Sequence, residues 1–123
     1  MIPSFNLDHD QLFMRTYEQV TVTTTRETTT HKVKRLIYAY FGKDAPTALR
    51  VFKCESGLRP DAVGSTDDYG VAQIHLPAHS KKIPADDKIA WLFNPENNIK
   101  LAYQLFLSSG FNPWVCARTL GVI

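Results

Sequence analysis

The sequence predicts a small, mainly α-helical α+β domain in which a short β or loop element flanks a groove. Three observations carry that expectation. Apolar residues recur at helical spacing in three separate stretches, through Val33, Leu36, Ile37 and Tyr40, through Ala45, Ala48, Leu49 and Phe52, and through Ile99, Ala102, Tyr103 and Phe106. Between the second and third stretches, Gly57, Pro60, Gly64 and Gly70 break a polar segment into turns that no regular helix could accommodate. With 123 residues the chain can enclose one hydrophobic core and has no room for a second.

Taken in order, residues 1–30 read as an N-terminal extended or flexible arm and residues 31–123 as the folded domain. Tyr17–Thr30 is crowded with threonine and places Val20 and Val22 on alternate positions, which favours an extended segment that docks on a partner; plain flexibility accounts for it equally well. The first core helix starts near Thr30 and stops at Gly42. Asp44 is placed to cap the second helix, with Pro46 in its first turn and Gly57 at its end. Arg59-Pro60-Asp61 turns the chain, and the stretch to Tyr69 is loop with a short β-hairpin. Ile89–Phe93 is an apolar cluster, after which Asn94 and Pro95 have the residue types of an N-cap and a first helical position. Gly110–Trp114 is a turn carrying two large aromatics toward the core or a ligand.

Glu55 falls in the last turn of the second helix. The end of a helix carries partial negative charge, and an apolar cleft withholds water, so both raise the pKa of a carboxyl group placed there. A Glu kept protonated near neutral pH can act as a general acid.

Glu55-Ser56-Gly57, then Gly70-Val71-Ala72-Gln73-Ile74, then Asn94-Pro95-Glu96-Asn97-Asn98-Ile99, resembles the ordered motif set of the lysozyme-like soluble lytic transglycosylase (SLT-type) domain, over roughly residues 45–118. The resemblance implies a lysozyme-like fold with a saccharide-binding groove and a peptidoglycan substrate. Glu55 would be the catalytic acid and base in cleaving the bond between N-acetylmuramic acid and N-acetylglucosamine, giving a 1,6-anhydro product. Ser56, Tyr69, Gln73, His75, Asn98 and Tyr103 are the candidate substrate-binding residues, and no cofactor is required. His79 reads as ordinary surface. The family commonly continues with an Ala-Tyr-Asn stretch whose Tyr lies near the catalytic Glu; Val115-Cys116-Ala117-Arg118 stands here instead, which leaves the hydrogen bond supporting Glu55 unassigned.

Two other functions fit the same fold. A hydrolase would use a loop carboxylate, Asp61, Asp67 or Asp68, as its second acid; a structural or assembly protein would retain the fold without turnover. A net charge of +2 with scattered basic residues argues against a nucleic-acid partner. His75 and His79 are separated by Pro77, which disfavours a regular helical metal pair, and no metal site is expected. Cys54 and Cys116 either form one disulfide, worth about 4 kcal/mol on the chain-entropy model, or stay two buried thiols. Neither a secretory signal nor a membrane-spanning run is evident, so action on the cell wall or in the periplasm implies lysis, a secretion machine or carriage in a virus particle.

Overall fold

The computed structural model describes residues 26–123; the arm expected from the threonine-rich N-terminus falls mainly outside the described residues. The first helix, α1 (Thr29–Phe41), begins where the Thr28 hydroxyl accepts a hydrogen bond from the His31 backbone N–H at 3.1 Å, and it stops at Gly42, whose φ is 53°. Arg35 on its exposed side donates to both carboxylate oxygens of Glu27 at 2.9 and 3.1 Å. The basic side of α1 is thus a solvated helix face.

A 3-10 turn over Gly42–Asp44 leads into α2 (Ala45–Ser56). Asp44 occupies the N-cap position, but its side chain caps nothing, because the turn holds its backbone at φ −91° and ψ 0° rather than in the extended conformation of a capping residue. The end of α2 follows the expectation: Gly57 takes the left-handed conformation at φ 65° and its N–H bonds to the Lys53 carbonyl at 2.9 Å.

The β element is a hairpin of β1 (Asp68–Tyr69) and β2 (Ile74–His75), antiparallel, with Asp68 opposite His75 and Tyr69 opposite Ile74. Gly70–Gln73 is therefore its tip. A short helix, α3 (Leu76–His79), follows, then α4 (Lys88–Phe93), which turns the expected apolar cluster into a helix capped by Asp87. Asn94 caps α5 (Pro95–Ser109) by accepting from the Asn97 N–H at 3.1 Å. The last helix is α6 (Val115–Thr119).

Helix α1 packs on α2 and α5, α4 packs on α5, and α6 packs on α2. The core contains Val33, Leu36 and Ile37 from α1, Ala48 and Phe52 from α2, and Ile99 and Ala102 from α5, as the periodicity predicts. Phe41, Val51 and Leu101 are buried as well, while Tyr40, Leu49, Tyr103 and Phe106 pack at its margin. Aromatic rings fill the centre: Phe41 meets Phe52 edge-on at 5.5 Å, and Phe52 meets Trp114 at 5.4 Å. The structure joins Cys54 to Cys116, so a covalent bridge ties α2 to α6 across a sequence separation of 62.

Candidate active site

Glu55 projects from the last turn of α2 into a cleft of about 100 Å³ whose other walls include Asp68, Gln73, His75, His79 and Trp114. It is half-buried and pairs with no Lys or Arg among the described residues. Burial raises its pKa above the ordinary 4.5; a hydrogen bond from the Cys116 backbone works against this, and the negative charge of Asp68 adds to it. That hydrogen bond, Cys116 N–H to Glu55 Oε2 at 3.1 Å, supplies the support left unassigned by the sequence. It has a simple physical origin. The first N–H groups of a helix lack partners within it, and Trp114, at the N-cap of α6, has a side chain that caps none of them. The Glu55 carboxyl takes that place from the neighbouring helix.

The hairpin tip facing Glu55 is fastened by backbone bonds from three side chains. Ser56 is 6% exposed, and its hydroxyl donates to the Val71 carbonyl at 2.6 Å. Asn98 is fully buried: its Oδ1 accepts from Ala72 N–H at 2.9 Å, and its Nδ2 donates to the carbonyls of Tyr69 at 2.9 Å and Leu92 at 3.0 Å. Trp114 Nε1 donates to the Ala72 carbonyl at 2.9 Å. Gly70 is required where Asn98 reaches the loop, since its φ is 81° and an added Cβ would overlap the Asn98 amide and come within 2.6 Å of the Leu92 carbonyl.

These contacts revise the expected sugar contacts. Ser56 and Asn98 have their polar atoms committed to loop backbone inside the protein, so both shape the cleft wall rather than face a ligand in it. Tyr103 does not line the cleft; its ring lies 5.2 Å from Phe41 and 6.2 Å from Phe106, within the aromatic cluster. Tyr69 is also buried, with its hydroxyl donating to Asp67 at 3.2 Å. Gln73 and His75 do line the cleft beside Glu55. Gln73 Nε2 donates to the Ala62 and Gly70 carbonyls at 3.2 and 3.1 Å, and His75 Nδ1 lies 2.9 Å from Asp68 Oδ1, a cross-strand pair that the hairpin register dictates.

His79, taken as ordinary surface, is instead a cleft residue. Its Nδ1 is buried with no hydrogen-bond partner, and burial lowers its pKa, with Lys82 and His75 acting in the same direction. Of the loop aspartates only Asp68 lines the cleft; Asp67 accepts from Tyr69, and Asp61 borders a separate surface depression with Arg59. No group of three or more His, Cys, Asp or Glu residues among the described residues is arranged to hold a metal ion.

The family model of the transglycosylase SLT domain matches residues 36–115, more than half of the chain. The chain belongs to the SLT domain family. No curated protein and no solved structure matches it. The matched span of the SLT domain runs from α1 to the first residue of α6 and so includes Glu55, the hairpin and the α5 residue that clamps it. Membership makes this SLT domain a peptidoglycan-degrading module of the lytic transglycosylase type, acting on the wall or in the periplasm. Among the described residues no helix is long and apolar enough to cross a membrane.

The sequence of the SLT domain left Trp114 open between core and ligand, and it is both a core residue and a cleft wall; missed altogether were His79 as a cleft residue and Cys116 as the donor to Glu55. A usable signal existed for Cys116 alone: of the two cysteines in the chain, the other is the immediate neighbour of Glu55, so a bridge would necessarily bring residue 116 beside it.

Proposed function

We propose that Glu55 is the general acid and base of a lytic transglycosylase that cleaves the β-1,4 bond between N-acetylmuramic acid and N-acetylglucosamine. Its placement carries this reading: a half-buried carboxyl with a raised pKa opens on a cleft and is held by one backbone donor. The protonated Glu55 gives its proton to the glycosidic oxygen as that bond breaks, and the acetamido oxygen of the muramoyl residue supports the positive charge growing on carbon 1. The resulting Glu55 carboxylate then removes the proton from the muramoyl 6-hydroxyl, whose oxygen closes on carbon 1. The products are a free N-acetylglucosamine 4-hydroxyl end and a 1,6-anhydro-muramoyl end, and Glu55 finishes protonated. Acid and base assistance of this kind contributes about 10²–10⁴-fold in rate.

Asp68 gives the hydrolytic alternative its one specific support, since it shares the cleft with Glu55. Its oxygens are however engaged by His75 at 2.9 Å and by the Thr66 hydroxyl at 2.5 Å, an arrangement that fits a wall residue better than a group activating water. Mass spectrometry of fragments from purified peptidoglycan separates the two reactions. Transglycosylation yields muramoyl ends lighter by one water, absent with Glu55→Gln; ends at full hydrated mass would overturn the proposal in favour of hydrolysis.

A further inference from the structure

Among the described residues, the Cys116 N–H is the one hydrogen-bond donor to the Glu55 carboxyl, and Cys116 is covalently bound to Cys54, the residue before Glu55. Hydrogen bond and disulfide together close a ring from Glu55 through α2, across the sulfur bridge and back through the start of α6. Helix α6 is 5 residues long; Val115 in its first turn is 65% exposed, while Ala117 is buried with its N–H donating to the Trp114 carbonyl at 3.1 Å. The N-cap residue Trp114 is held in the core by its bond to Ala72 and its packing on Phe52. Loss of the bridge therefore leaves the core anchored while freeing the peptide N–H that aims Glu55. Cys54 is exposed, so a reductant can reach the bridge.

We infer that the Cys54–Cys116 disulfide is a positioning device for the Glu55 carboxyl, and that the dithiol form keeps the fold but loses most of the lytic activity. This rests on the assignment of Glu55 as the acid. With a dithiol as the reductant, the Sγ–Sγ bond breaks, each sulfur takes one hydrogen atom, and the reductant departs as its own cyclic disulfide. The chain would then be quiet in a reducing compartment and competent in an oxidising one, where disulfides persist.

The test uses the whole chain, oxidised, reduced with dithiothreitol, and as Cys54→Ser/Cys116→Ser. Each form is followed by circular dichroism, by clearing of purified peptidoglycan across pH, and by NMR titration of the Glu55 carboxyl. Asp68 and His75 of the hairpin and His79 of α3 are the other titratable groups lining the cleft, and all are unchanged in every form. The dithiol and double-serine forms should remain folded and clear peptidoglycan at least about tenfold more slowly, as expected when a reacting group is released from its productive geometry. Their Glu55 pKa should rise, because the lost hydrogen bond favours the carboxylate. Equal clearing rates, an unchanged or lowered Glu55 pKa, or unfolding on reduction would each overturn the inference, the last by making the bridge a staple of the whole fold. Absence of clearing in the oxidised form would instead sink the assignment of Glu55, and the titration would still decide whether the bridge positions it.

Discussion

Asn98→Ala should unfold this domain more than it impairs ligand binding. The amide makes hydrogen bonds to Ala72 N–H, the Tyr69 carbonyl and the Leu92 carbonyl, all on buried residues. Truncation leaves each of those groups without a partner in a place water does not reach, at about 1–3 kcal/mol apiece. A total of roughly 3–9 kcal/mol is a large part of the 5–15 kcal/mol that typically holds a domain together. At roughly 4–8 °C per kcal/mol for a domain of nearly this size, the midpoint of thermal unfolding should fall by more than about 12 °C. Asn98→Asp should be no better, because it turns the donor facing two carbonyls into an acceptor. Circular dichroism melting and urea denaturation measure the loss directly. A variant Asn98→Ala that melts within about 4 °C of wild type, yet binds glycan strands poorly, would show that the amide serves the ligand and would refute the clamp.

Glu55→Gln should slow peptidoglycan clearing by about 10²–10⁴-fold while leaving the fold intact. It should also melt above wild type at neutral pH. A carboxyl whose folded pKa is raised adds stability that is complete below its ordinary 4.5 and lost as pH rises through the folded value, so the advantage of the glutamine should vanish as pH falls toward 4.5. Asp68→Asn removes a negative charge that raises the Glu55 pKa, so the alkaline limb of the pH–rate profile, where the acid must stay protonated, should move to lower pH. An unmoved limb would show that the two carboxyls do not sense each other. Gly70→Ala should destabilise by at least about 1–3 kcal/mol from its left-handed backbone alone, with more from overlap with the Asn98 amide; chemical denaturation reads the sum.

Much of the architecture was written locally. Helices α1, α2 and α5 follow from apolar residues at turns of a helix, and their ends from Gly42, Gly57 and Asn94, because capping and periodicity depend only on neighbours in the chain. Asp44 shows the limit of that logic: it has the residue type of a cap, but the preceding turn fixed its backbone in the wrong conformation. The cluster Ile89–Phe93 was legible as apolar but too short for periodicity to distinguish a helix from a strand.

For the site, it was the resemblance to the SLT domain that set Glu55, the glycine-bounded loop and the asparagine helix start together. The sequence by itself located the carboxyl in a last helical turn, where ionisation is disfavoured. Which way the polar atoms of Ser56 and Asn98 point was decided by the tertiary structure. A side chain's residue type says that it can form hydrogen bonds, whereas burial decides whether a backbone peptide or a ligand receives them. The donor to Glu55 is the clearest case: any non-proline residue at position 116 carries a backbone N–H, and only the packing of α6 against α2 brings this one to the carboxylate.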